Sequence, residues 1–385
     1  MAIRKGIIVG IGLILQILLS LCGYIILEEI LGVVSIVYTI IGLLLILSLI
    51  RNSKSYSYTL PWILILFSYP LVGTLMYIII GRNKNNSKVL KNIIESEKNS
   101  KNYLIQDAEI REEIKDNGKI RYLSDFSGYP VTKNNDVEYF PLGEDAFKSM
   151  LEELKKAEKF IFFEYFIIKH GIMWNSILEI LEEKAKKGLD VRVMYDDVGC
   201  ISTLENSYPK KLEKKGIKCI VFNKLHPISG VIMNNRDHRK ILVIDGKVAF
   251  SGGINIADEY ININSPYGHW KDNGIKISGD AVWNYTVMFL TMWNAFDKRD
   301  ENFNKYKYNF KDKKMNNGYV VPYAETPLDN EITGEDVYLN IINQADKYVY
   351  IITPYLIIDT DMINSLCLAA KRGVDVRIVI PRNTR

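Results

Sequence analysis

His238 and Lys240 stand two residues apart in the run R-D-H-R-K-I-L-V-I-D-G-K-V-A-F-S-G-G-I-N, residues 236–255. On an extended backbone both side chains leave the same face. An imidazole beside an ammonium suits a phosphate, because the first can attack phosphorus while the second neutralises its oxygens. Asp245 follows the apolar residues 241–244, which read as a buried strand ending at an Asp-Gly turn. Gly252 and Gly253 would let backbone approach a ligand closely, and Asn255 adds a neutral donor. Arg236 and Arg239 flank the histidine, and at least one is expected near a phosphate. A lone His-x-Lys with a nearby Asp arises by chance in about a few per cent of chains this long, so the Gly-Gly-x-Asn continuation carries the weight.

The elements that must position these residues follow from periodicity. A helix is expected over 144–156, with Phe147, Met150, Leu151 and Leu154 on one face. Strands at 159–168, 190–195, 217–222 and 274–277 alternate with helices at 177–187 and up to 212–216, which implies an α/β unit around a largely buried sheet. The motif then arrives at a strand end, where such folds place ligands. The helix 281–296 carries Trp283, Tyr285, Phe289, Trp293 and Phe296, read as core rather than as a lipid groove. A self-similarity follows: A-E-K-F-I-F-F-E-Y from Ala157 matches A-D-K-Y-V-Y-I-I-T-P-Y from Ala345, and K-K-G-L-D-V-R-V from Lys186 matches K-R-G-V-D-V-R-I from Lys371. Two α/β units of one design are therefore encoded in tandem. The expected organisation is an anchor region 1–81, a juxtamembrane connector 82–130, a first unit 131–300, a linker 301–318 and the beginning of a second unit at 319–385.

Residues 6–27 and 30–50 are almost entirely apolar, each long enough to cross roughly 30 Å of hydrocarbon. Arg4, Lys5, Arg51 and Lys54 flank them, so a two-helix hairpin with cytoplasmic ends and Glu28-Glu29 outside is expected. Residues 60–80 are interrupted by Pro61, Pro70 and Gly73 and followed by Arg82 and Lys84. They are expected to dip into the membrane or lie at its interface, with a third span as the alternative. Lys84, Lys88 and Lys91 either meet anionic headgroups or are simply solvated. The net charge of +4 is too mild to argue for nucleic acid. Cys22, Cys200, Cys219 and Cys367, like His170, His226 and His269, show no metal spacing, and the thiols are expected to be free and buried.

The pattern His-x-Lys-x4-Asp-x6-Gly-x-x-Asn resembles the phospholipase D superfamily signature. N-N-R-D-H-R-K with G-G-I-N and D-E-Y is similar to the bacterial cardiolipin synthases, as are Trp270-Lys271-Asp272, Thr353-Pro354-Tyr355 and the run 61–82. The resemblance implies a phospholipase D-like α/β/α sandwich unit plus the start of a second repeat, preceded by transmembrane helices in a bacterial cell membrane. It implies that His238 attacks a phosphatidyl phosphodiester to give a phosphohistidine, with Lys240 and Asn255 on the phosphate oxygens. Asp245 would orient or balance the basic residues. A second histidine would serve the leaving group, and no metal or other cofactor is called for. Phosphatidylglycerol would be both donor and acceptor, giving cardiolipin and glycerol. Gly253, Arg236, Glu164, Asp196 and Tyr355 are marked as cleft residues, with a structural role nearly as well supported for the last three. No second motif precedes Arg385, so a fragment is expected, with a homodimeric site as the alternative. Hydrolysis by water, a tethered nuclease and a non-catalytic binding module are the competing readings.

Overall fold

The computed structural model describes residues 28–51, 56–78, 88–224, 236–266, 268–297, 302–310, 318–326 and 331–381, with Ile14 and Leu18 as isolated positions. The chain divides into two units, Met1–Asn85 and Asn86–Arg385.

In the first unit, helix α1 spans Glu28–Arg51, α2 Tyr56–Ser68 and α3 Pro70–Met76. The ring of Pro70 disfavours helical backbone on the residue before it, and Tyr69 breaks the helix at φ −139°, ψ 72°. Pro70 itself starts α3, where its missing N–H costs nothing. Pro61, expected to interrupt the segment, is carried inside α2. Gly73 lets α3 lie against α2, since a Cβ there would stand 2.7 Å from the Ile65 carbonyl oxygen. The described part of the apolar stretch, residues 60–78, thus holds two short helices with a break at Tyr69. The expected first span, with Cys22, lies outside the described residues. Side chains of α1 are described from Ile36 onward, about 24 Å of helix at ~1.5 Å per residue. Among the described residues no helix is long and apolar enough to cross a membrane.

The second unit begins earlier than expected. Helix α4, Lys88–Ser100, falls in the stretch read as a juxtamembrane connector, and its Leu90 and Ile93 are buried in the core. Asn92 Nδ2 donates to the Ala295 carbonyl at 3.0 Å and Ser96 Oγ to that of Thr291 at 2.6 Å. The many charges of 82–130 hide an amphipathic helix with one narrow apolar face. Helices α5, Ala108–Ile114, and α6, Gly118–Asp125, follow.

The sheet runs β1-β7-β6-β5-β2-β3-β4. Its strands are β1 Asn135–Phe140, β2 Phe160–Tyr165, β3 Asp190–Asp196, β4 Lys218–Phe222, β5 Lys240–Ile244, β6 Val248–Gly252 and β7 Gly274–Gly279. Strands β2, β3 and β4 are parallel, joined through α8 (Ile172–Lys186), α9 (Asp197–Cys200) and α10 (Tyr208–Lys214); the other pairings are antiparallel. Helix α7 is Gly143–Lys155. Period-2 alternation splits β2: Ile161, Phe163 and Tyr165 pack toward α7 and α8, whereas Phe160 and Phe162 pack toward α4 and α11, Val282–Phe296. Helices thus cover both faces, and β2, buried on both, is apolar throughout except at Glu164.

Part of the expected linker is also core. Phe303 and Tyr306 are buried, and the Tyr306 hydroxyl lies 2.5 Å from Arg192 Nη2 and 3.0 Å from Asp190 Oδ2. The buried Arg192 guanidinium lies 5.2–5.5 Å from the rings of Phe162, Trp293 and Tyr306. Two aromatic residues in a polar stretch outweigh its composition. Cys200 is buried and Cys219 half-buried, but Cys367 is exposed, contrary to expectation.

After α12, Thr333–Asn343, come β8 Tyr348–Ile352, α13 Thr360–Lys371 and β9 Asp375–Val379. Tyr348 pairs with Asp375 as Phe160 pairs with Asp190, both in parallel register. Gly188 and Gly373 take φ of 87° and 93° at the same place in each β-α-β.

Asp245 was expected beside the basic residues of the motif; it lies instead at the opposite end of β5. Its carboxylate accepts the backbone N–H groups of Glu158, Lys159 and Phe160 at 2.8, 2.7 and 2.9 Å. With Gly246 it forms the β5–β6 turn, at φ 55° and 66°. Its work is structural. Asp245→Ala strands three donors, and we expect a loss of about 3–5 kcal/mol in urea unfolding, with Asp245→Asn losing less.

Candidate active site

Residues 236–239 lead into β5, and Lys240 opens that strand opposite Tyr165 of β2. Lys240 Nζ donates to the His238 carbonyl at 2.6 Å and lies 3.0 Å from His238 Nδ1. The Phe166 ring lies 4.7 Å from the imidazole and 5.7 Å from the ammonium, a cation–π contact. Phe166 was not singled out in the sequence: it sits in an aromatic run whose other members are core, and spacing does not separate it from them.

Burial pushes the Lys240 ammonium down to about 8, with Asp237 and Asp272 acting in the opposite direction. Burial, and then the charge of Lys240, hold His238 below the ordinary histidine value. The pair therefore presents a neutral imidazole beside a weakly held ammonium proton at neutral pH.

The loop is braced by Asp196 at the end of β3. One oxygen accepts the N–H groups of Val198 and Gly199 at 2.8 and 3.1 Å, capping α9, and the other accepts that of Asp237 at 3.0 Å. Arg236 stands 3.5 Å from Asp196 and donates to the Asn223 carbonyl at 3.1 Å. It still lines the cleft.

Five residues expected at the site stand elsewhere or do other work. Asn255 Oδ1 accepts the Ile167 N–H at 3.1 Å and its Nδ2 donates to the Tyr260 hydroxyl at 2.8 Å, so this buried amide joins two segments instead of facing a phosphate. Gly253 makes room for protein: a Cβ there would lie 2.1 Å from Asp272 Oδ1. Gly252, at φ 143°, similarly admits the Asn273 carbonyl, 2.6 Å from where a Cβ would be. Glu164 is wholly buried beneath the loop, 3.9 Å from Arg239. Tyr355 is exposed on the Thr-Pro-Tyr turn, where Thr353 Oγ1 donates to its carbonyl at 3.0 Å. Its phenol adds slightly to the upward shift that burial gives Tyr260. His226 lies outside the described residues.

A cleft of about 480 Å³ opens onto this loop. Arg236, His238, Arg239 and Lys240 line one part of it, and Leu90, Ile93, Ile241, Tyr285, Met288 and Met292 supply apolar wall. The aromatic helix α11, read as core, is core at Phe289 and Trp293, but its Tyr285–Met288–Met292 side forms this wall. A neutral imidazole, cations and an apolar wall thus line one cleft.

Comparison with known proteins gives the family. The family model described as "Cardiolipin synthase, PLD-like domain" matches residues 150–293 and 338–385, and "Phospholipase_D-nuclease N-terminal" matches residues 37–82. An uncharacterized protein of Streptococcus mutans is 45% identical over 342 residues, covering 87% of this chain and 74% of that protein. Cardiolipin synthase 1 of Staphylococcus aureus is 34% identical over 360 residues, covering 88% of this chain and 70% of the relative. Cardiolipin synthase of Clostridium perfringens is 34% identical over 355 residues, covering 86% and 71%. With its α/β architecture and this extent of similarity, the chain belongs to the cardiolipin synthase family, phosphatidyltransferases with a phospholipase D-like domain.

Proposed function

We propose that this chain transfers a phosphatidyl group between two phosphatidylglycerol molecules at a bacterial membrane, forming cardiolipin and releasing glycerol. The observation that carries the reading is the His238–Lys240 pair, 3.0 Å apart, in a cleft with an apolar wall. Neutral His238 attacks phosphorus, the bond to the headgroup glycerol oxygen breaks, and that oxygen takes a proton from an acid. By the family resemblance a second imidazole would be that acid. The glycerol hydroxyl of the second lipid then attacks phosphorus, its proton leaves to the same base, and the N–P bond breaks to free His238. Lys240 holds the phosphate oxygens in both steps.

The 3.0 Å contact adds a condition. A charged Lys240 donates to Nδ1 and so leaves the proton of neutral His238 on Nε2, the wrong tautomer for attack through Nε2. A phosphate that draws the ammonium onto its own oxygens releases Nδ1 and allows the proton to move there. Substrate binding thereby arms the nucleophile.

Membrane attachment rests on the first unit. Ile36, Leu43, Leu47 and Ile50 of α1 and Leu60, Leu64 and Phe67 of α2 are exposed. Such apolar surface suits lipid. Anionic lipids there would supply both substrates.

The test is cardiolipin and glycerol release by the full chain in phosphatidylglycerol micelles. His238→Ala should lower the rate by at least about a thousandfold and Lys240→Ala by about a hundredfold. The pH profile of kcat/KM should rise through an acid limb below the ordinary histidine value, because His238 must be neutral. It should fall through a basic limb near 8, where Lys240 loses its proton. Lys240→Arg should remove the basic limb even where it lowers the rate. Product formation indifferent to His238 would overturn the reading.

A further inference from the structure

Residues 237–241 alternate between the two faces of the sheet. His238 and Lys240 turn toward Phe166, whereas Ile241 packs on the α4 and α11 side, where Arg239 meets Glu164. Glu164 has no exposed surface, and neither of its carboxyl oxygens has a donor. Asp237 is also buried; Oδ1 accepts the Arg239 N–H at 3.2 Å, and Oδ2 has no donor. The cation is Arg239, whose Nη1 lies 3.9 Å from Glu164 Oε1. Two other titratable groups face Glu164 and Arg239, Glu97 of α4 and the buried Tyr129 phenol, and neither adds positive charge; from the other face of the loop the Lys240 ammonium interacts with Asp237.

Glu164 and Asp237 are close enough for a side-chain hydrogen bond, which two ionised carboxylates, both acceptors only, cannot make. One proton resolves the difficulty. Asp237 already accepts a backbone N–H, whereas neither oxygen of Glu164 accepts anything, so Glu164 is the one free to donate.

We propose that Glu164 is a neutral carboxylic acid donating its O–H to Asp237, and that the Glu164–Asp237–Arg239 trio is a positioning device for the His238 loop. The functional half rests on the reading of His238 as the reacting group. Burial first, and then Asp237, push the Glu164 carboxyl well above the ordinary range, with Arg239 opposing. The folded chain accordingly holds a proton that the unfolded chain releases. The stability tied to Glu164 is complete below about 4.3, the value for a free Glu, and is lost as pH rises toward the folded-state value.

The test compares Glu164→Gln, a neutral isostere that keeps a donor for Asp237, with Glu164→Ala and Asp237→Asn. Glu164→Gln should fold, and its Tm relative to wild type should climb steadily from pH 5 to pH 8. Glu164→Ala should lose at least about tenfold in kcat for cardiolipin formation with KM little changed, and the Gln variant should restore most of it. Asp237→Asn, which strips Arg239 of its carboxylate, should lower Tm more than Glu164→Gln does. A Glu164→Gln chain that is destabilised equally at every pH, or as inactive as the Ala variant, would make Glu164 an ionised counter-ion and overturn the proposal. If wild type formed no cardiolipin, the functional reading would fail, and the Tm comparison would still decide where the proton sits.

Discussion

Three backbone N–H groups at the start of β2 converge on the Asp245 carboxylate, and that contact pins the far end of β5. The ladder then runs from Ile161 opposite Ile244 to Tyr165 opposite Lys240. A slip of one residue would send His238 and Lys240 to the α4 and α11 side and bring Asp237 and Arg239 to Phe166. The third member of the His-Lys-Asp motif thus serves the first two through register, from the opposite end of the strand. A hairpin whose Asp-Gly turn has both φ angles positive closes the arrangement.

With register set, burial does opposite things on the two sides of one loop. Toward Phe166 it destabilises positive charge, lowering His238 and bringing Lys240 to about 8. Toward α11 it destabilises negative charge, raising Glu164. Both shifts follow from the same cost of removing ions from water. Asp196 holds the loop between them by accepting the Asp237 N–H.

Much of this was legible in the residue order. The alternation of β2, β3 and β4 with helices, the His-x-Lys face and the tandem β-α-β all depend on local periodicity, and the parallel pairs Phe160–Asp190 and Tyr348–Asp375 follow it. What was not legible depends on contacts distant in sequence. Leu90 and Ile93 become core only because Asn92 and Ser96 find carbonyls some two hundred residues away on α11. Asn255 and Gly253 look like ligand-binding residues by type, yet Ile167, Tyr260 and Asp272 occupy them. A motif fixes residue types at a spacing, but it does not say which of them face the cleft. The first unit reads as membrane-crossing from length and hydropathy; its described helices bear exposed apolar surface, and among the described residues none is long and apolar enough to cross a membrane.

The central claim is that the imidazole of His238 bonds covalently to phosphorus. The most direct measurement is mass spectrometry of the full chain after brief incubation with phosphatidylglycerol, quenched and digested at alkaline pH because phosphohistidine is acid-labile. The account predicts a phosphatidyl adduct on the peptide carrying His238, absent from His238→Ala and chased by added phosphatidylglycerol. Turnover with no adduct, or an adduct on another residue, would contradict it.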